Sequence, residues 1–158
     1  MNHDYQILEI TNGDLKKKYT EEILRLLPDW FGVEASLMDY VNTVSNYPFF
    51  CAMKGDICIG FFSICIHHER TGEIYVCAIH PEYHGMGVGT ALFEHAEAFL
   101  KAEKCDYFMV KTLSPLRNSE SYNLTRKFYA AVGFVDFYTD INIWDHENPC
   151  LMMIKNLV

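Results

Sequence analysis

One stretch of the sequence has residue types and spacing suited to holding a phosphate: His80-Pro81-Glu82-Tyr83-His84-Gly85-Met86-Gly87-Val88-Gly89-Thr90. An apolar run, Glu73 to His80, ends here. Three alternating glycines then open a strongly amphipathic segment, Gly87 to Lys104. The first turn of a helix carries main-chain N–H groups with no intrahelical partner, and the helix dipole places partial positive charge at that end. Glycines let a ligand approach the main chain with no Cβ in the way. Together these features make a phosphate site, with Gly85, Met86, Gly87, Val88, Gly89 and Thr90 presenting the amides. The same residues also suit a plain loop-to-helix transition, so context must decide.

Context excludes two nucleotide loops. A Walker loop needs Gly-Lys-Ser or Gly-Lys-Thr, and the sequence has no lysine between Lys54 and Lys101. A dinucleotide fold places Gly-x-Gly-x-x-Gly directly after its first strand. Here three strand-like segments precede the glycines, and the spacing is Gly-x-Gly-x-Gly. Metal chemistry is not expected either. The six cysteines (51, 58, 65, 77, 105 and 150) include no Cys-x-x-Cys pair and sit in mostly apolar segments, as core thiols do. Cys77 has no specific histidine partner to activate it as an acyl-carrying nucleophile.

The elements that must position the glycine turn follow from periodicity. Tyr5 to Ile10 reads as an opening strand. Asp14 is the expected N-cap of a helix carrying Leu15, Tyr19, Ile23, Leu26 and Leu27, with Pro28 beyond its end. A second helix covers Val33 to Val44. Phe49 to Met53 and Ile57 to Ile66 flank Lys54-Gly55-Asp56 and form a hairpin. Arg70-Thr71-Gly72 supplies the next turn, leading into Glu73 to His80. After the long helix come a strand at Tyr107 to Lys111, a helix at Ser119 to Ala131 stopped by Gly133, and strands near Phe134 to Tyr138 and Leu151 to Lys155. The order β-α-α-β-β-β-α-β-α-β-β describes an α/β (α+β) fold with four helices and a mixed, mostly antiparallel sheet. The strands on either side of the long helix pair in parallel through a right-handed crossover.

Composition sets outer bounds. The chain has 158 residues, which suits a single domain spanning 1–158. A formal net charge of -8 argues against a broad nucleic-acid surface. No run approaches the roughly 20 apolar residues of a membrane span. Met1, Asn2, His3 and Asp4 lack the basic start and apolar stretch of a signal peptide, so a cytoplasmic location is expected. Between Lys127 and Lys155 lie Asp136, Asp140, Asp145 and Glu147 with no lysine or arginine. That suits a cationic partner such as an amine, or a merely solvated acidic loop. A homodimer is compatible with the sequence.

His84-Gly85-Met86-Gly87-Val88-Gly89 resembles the Gln/Arg-x-x-Gly-x-Gly/Ala pyrophosphate-binding motif of the GNAT superfamily of N-acetyltransferases, with histidine where glutamine or arginine is usual. Ile79-His80-Pro81-Glu82 is similar to the strand end that precedes it there. Asn123 through Phe128-Tyr129-Ala130-Ala131-Val132-Gly133-Phe134 is similar to that superfamily's Asn…Phe-Tyr-x-x-x-Gly-Phe segment. The resemblance covers essentially the whole chain, the first 45 residues only in outline.

This resemblance implies the acyl-CoA N-acyltransferase fold, splayed at its parallel strand pair, and acetyl-CoA as acyl donor. Main-chain N–H groups around Cys77, Ala78 and Ile79 would bind the pantetheine arm and polarise the thioester carbonyl. Tyr129 would act as general acid: with a phenol near 10 and an alkyl thiol near 8.5, protonating the thiolate is uphill by only about 2 kcal/mol. On pattern alone Tyr129 shares a packing stripe with Tyr122, Thr125 and Val132. Glu73, in Glu73-Ile74-Tyr75-Val76-Cys77-Ala78-Ile79, matches the strand that carries the catalytic glutamate in the histone-acetylating branch and would be the base. A carboxylate near 4.3 facing an ammonium near 10.4 falls short by about 6 units, so it needs burial, a water relay or a partly neutral amine. The alternative reading is an exposed residue at a turn. Asn123 would reach the pantetheine, and Arg126 and Lys127 the nucleotide phosphates. Trp30, Phe31 and Trp144 would line the acceptor side, where aromatic rings and carboxylates suit a cationic amine. The acceptor is then a small-molecule amine. The alternatives are a protein lysine or N-terminus, or a non-catalytic acyl-CoA-binding sensor module.

Overall fold

The structure, a computed structural model, describes residues 4–158; the expectation about Met1, Asn2 and His3 lies outside the described residues. Asn12, not Asp14, caps the first helix. Asn12 is extended, and its side-chain oxygen accepts from the Leu15 amide at 3.0 Å. Asp14 sits inside the first turn of α1 (Gly13–Leu24), where its charge complements the dipole. The chain then makes a one-turn helix, α2 (Pro28–Phe31), with Pro28 at its start, before α3 (Glu34–Thr43). Proline fits a first helical turn because no N–H is needed there.

β1 (Gln6–Glu9) pairs antiparallel with β2 (Phe49–Lys54), and β2 with β3 (Ile57–His67) through the expected turn, where Gly55 has φ +59°. The next turn differs from expectation. His68 and Glu69 take left-handed conformations, with φ 51° and 63°, and Arg70 N–H donates to the His67 carbonyl at 3.2 Å. Thr71 and Gly72 belong to β4 (Thr71–Ile79) instead. Gly72 is a close-approach glycine: a Cβ there would come within 2.3 Å of the Leu100 side chain on α4 (Val88–Ala102).

β5 (Tyr107–Leu113) pairs in parallel with β4, from Thr71↔Tyr107 to Ile74↔Val110, as expected for the strands flanking the long helix. α5 (Glu120–Ala131) is capped by Ser119, which accepts from the Tyr122 amide. The last two strands are much longer than their apolar cores suggested: β6 (Val135–Asp145) and β7 (Asn148–Asn156) form a ribbon joined at 146–147. β6 is an edge strand, mostly exposed on both faces, so it has no hydrophobic alternation to read. The sheet order is β1-β2-β3-β4-β5-β7-β6, seven strands, mostly antiparallel with one parallel pair.

The chain divides into two compact units. In the first, residues up to Cys65 with Tyr75–Phe99, α1 and α3 bury Tyr19, Ile23, Leu24, Leu37 and Val41 against Phe49, Phe61, Val76 and Ala78. Phe50 meets His95 and Phe99 of α4 edge-on. In the second, Ile66–Ile74 with Leu100–Val158, Phe134 joins α5 to the sheet: its ring lies 5.4 Å from Phe108 and 5.7 Å from Tyr129. Among the described residues no helix is long and apolar enough to cross a membrane. No group of three or more His, Cys, Asp or Glu among them is placed to hold a metal ion.

Candidate functional site

The glycine turn is built as a main-chain platform. β4 ends at Ile79, and Pro81–Tyr83 makes one 3-10 turn capped by His80, whose Nδ1 accepts from the Glu82 amide. Gly85 and Gly87 then adopt φ +73° and +84°, and a Cβ built on either would meet no protein atom within 4 Å. These glycines are therefore kept for backbone shape and open approach, not to avoid a neighbour. The first bond into the helix, Ala91 N–H to the Gly87 carbonyl, leaves the amides of Val88, Gly89 and Thr90 ahead of it without an i−4 partner in the helix. Gly85, Met86, Gly87 and Thr90 are exposed, while Val88 is buried and pins the helix start.

His84 is engaged at the end of β4. Its Nε2 donates to the Ile79 carbonyl at 2.7 Å, and its ring meets Trp30 edge-on, centroids 6.1 Å apart. The side chain braces the turn against the end of β4. Cys77, Ala78 and Ile79 occupy the last stretch of β4, Ala78 buried and the others half-buried. Phe31 starts a chain of rings that sequence reading missed: Phe31–Tyr40 at 5.9 Å, Tyr40–Tyr75 at 5.4 Å and Tyr75–Tyr47 at 5.0 Å, all edge-on or nearly so. Tyr75 lies two residues from Glu73, on the same side of β4. No one-dimensional signal links these four aromatics, because they come from α2, α3, the loop before β2, and β4.

In the second unit, Glu73 is no exposed turn residue. It is buried in β4, and each carboxylate oxygen has a partner: Oε2 lies 2.6 Å from His67 Nε2 and Oε1 lies 3.3 Å from Lys111 Nζ. Strand pairing explains the burial, since Glu73 is opposite Met109 and Lys111 follows two residues on along β5. His67 and Lys111 were not singled out from sequence. A lone lysine in the apolar run Phe108-Met109-Val110-Lys111 was the available signal. Cys150 of β7, opposite Leu113, shares this neighbourhood; burial pushes its thiol up to about 11, Lys111 opposing and Asp140 and Glu73 adding.

Tyr129 is the one buried side chain of α5, its ring against Phe128 and Phe134. Arg126 is tied within its own unit, donating to the Leu113 carbonyl and to Asn123 Oδ1, so the two candidates for cofactor contact hold each other and fasten α5 to the end of β5. Lys127 is exposed. Trp144 stands half-exposed on β6. The β6–β7 ribbon and the loop before α5 border a cavity of about 580 Å³, lined in part by Arg117, Ile141, His146 and Glu147.

A glycine-rich turn opening a helix between two parallel strands, set in a seven-stranded mixed sheet, is the arrangement of the acyl-CoA N-acyltransferase fold. An acetyltransferase of the GNAT family from Desulfovibrio desulfuricans has the same fold, with a TM-score of 0.84 and 14% identity over 98% of this chain and 99% of that one. An aminoglycoside 6'-N-acetyltransferase complexed with coenzyme A superposes with a TM-score of 0.77 and 17% identity, over 97% of each chain. The ribosomal-protein-S18-alanine N-acetyltransferase from Escherichia coli gives 0.73 and 14%, over 96% of this chain and 94% of that one. No curated protein matches the sequence. The model of the acetyltransferase (GNAT) family matches residues 5–134, and the chain belongs to that family.

Proposed function

We propose that the protein is an N-acetyltransferase that moves the acetyl group of acetyl-CoA to a primary amine of a small molecule. The observation that carries this reading is the turn at 85–90, where two left-handed glycines with open space at their Cβ positions lead into a helix start whose first amides have no partner in the helix. That cradle fits a diphosphate, and side chains at Gly85 and Gly87 would fill it. Acetyl-CoA, when bound, supplies an activated acetyl thioester; this chain supplies the rest. The amides of Gly85 to Thr90 hold the diphosphate, with His84 bracing them. Main-chain N–H groups at Cys77, Ala78 and Ile79 stabilise negative charge on the thioester oxygen, an effect often worth about 3 kcal/mol. Tyr129 gives a proton to the departing thiolate, and Asn123 and Arg126 shape the end of β5 on which that helix rests. The base side is built on Glu73.

An amine acceptor is supported by the rings of Phe31, Tyr40, Tyr75 and Tyr47, whose faces favour a cation, with Trp30 and Trp144 as further aromatic surface. A protein lysine or N-terminus is the second reading, favoured by the strand Glu73 to Ile79 and its likeness to the histone-acetylating branch. The test is thiol release from acetyl-CoA with polyamines, aminoglycosides, amino acids and lysine peptides. Release only when a small amine is supplied is the expected result. Release with peptides alone selects the second reading, and tight acetyl-CoA binding without release under any amine selects a sensor.

A further inference from the structure

We propose that His67 takes the acceptor's proton, with Glu73 orienting its imidazole and Lys111 holding the carboxylate. The inference rests on the acetyltransferase reading and names a residue that reading does not contain.

A carboxylate without its proton can only accept hydrogen bonds, so the 2.6 Å contact to Oε2 puts the hydrogen on His67 Nε2. In the neutral ring this leaves the lone pair on Nδ1. The Glu73 side chain is 9% exposed and has both oxygens engaged, whereas the His67 side chain is 43% exposed. Of the three groups, the lysine ammonium has no lone pair and the carboxylate is shut away; the half-exposed imidazole alone keeps a basic nitrogen, Nδ1. An imidazole also suits the task better. As a class it titrates near 6.5 against 4.3 for a carboxylate, which cuts the shortfall against an alkylammonium from about 6 units to about 4. The arrangement is that of an acid-held imidazole, in which the carboxylate fixes the tautomer and stabilises the imidazolium once it forms.

The proton count closes. An ammonium acceptor loses two N–H bonds on becoming an amide. One proton passes through a water to His67 Nδ1 and then to solvent, while Nε2–H stays on Glu73. The freed electron pair forms the C–N bond as the C–S bond breaks. The thiolate takes its proton from the Tyr129 hydroxyl, and the second ammonium proton restores the tyrosine. The charges around the imidazole are His68, Glu69 and Arg70 on its own hairpin, with Arg70 paired to Asp106; Glu73 on β4; Lys111 on β5; and, beside Lys111 and Glu73, Asp140 on β6 and Cys150 on β7.

His67→Gln keeps an N–H donor for Glu73 but has no basic nitrogen, and His67→Ala removes both. With spermidine, kanamycin and a lysine peptide as probes, both variants are expected to lose about 100-fold in kcat. They should bind acetyl-CoA as the wild type does and lose the acid limb of the pH–rate profile, and added imidazole should partly restore His67→Ala. A wild-type rate and profile in His67→Gln overturns the proposal. A rate lost in His67→Ala but restored in His67→Gln also overturns it, because only positioning is then needed. Ring nitrogen NMR of the wild type needs no acceptor: an Nε2–H tautomer is expected, and an Nδ1–H tautomer overturns the geometry. A wild type that releases no thiol with any of the three amines counts against the acetyltransferase reading itself.

Discussion

The glycine turn at 85–90 and the charged group at Glu73 are built from different parts of the chain. The turn offers main-chain amides, and its side chains are either absent, as in Gly85 and Gly87, or engaged elsewhere, as His84 is in bracing Ile79. The Glu73 group consists of three side chains from three strands, brought together by pairing. A main-chain site depends on local backbone shape and survives a change of neighbours. A side-chain site depends on register, and one substitution alters every member.

The contrast can be broken most severely at Gly87. Its φ of +84° costs an alanine roughly 1–2 kcal/mol and a β-branched residue more. Gly87→Val is expected to weaken acetyl-CoA binding at least 100-fold in calorimetry while the protein stays folded, since a Cβ there meets no protein atom. Tight binding in that variant would mean that the turn is not the phosphate site. Tyr129→Phe sharpens the side-chain half: turnover should fall about 10- to 100-fold in the thiol-release assay with binding unchanged. Unaltered turnover removes Tyr129 as the acid. The smallest effect is at Cys150. Its folded thiol sits near 11 against an ordinary 9.0, so the unfolded chain ionises first. The stability it contributes is intact below about pH 9 and is lost as the pH rises toward 11. Denaturation midpoints should fall across that window, and less steeply in Cys150→Ala.

What the sequence made legible divides along the same line. The turn, the long helix and the strand order came from local signals: alternating glycines, helical spacing in Leu92, Phe93, Ala96 and Leu100, and the Lys54-Gly55-Asp56 turn. Motif position singles out Glu73 and Tyr129, but not their surroundings. Nothing near Glu73 in sequence announces Lys111, which lies 38 positions away and arrives through the parallel pairing of β4 and β5. Gly72 looked like a turn glycine because Arg70 and Thr71 precede it. Its actual task is to make room for Leu100, a contact no local window contains. The ribbon of β6 and β7 was underestimated because Asp136, Thr139, Asp140 and Asn142 interrupt the apolar pattern, which an exposed edge strand tolerates.

The most direct test of the central claim is an amide NMR titration of the protein with coenzyme A. Saturable shifts concentrated in the amides of residues 85 to 90, absent with pantetheine, which lacks the diphosphate, are the predicted result. Amides in that turn that stay unmoved at saturating coenzyme A would contradict the account.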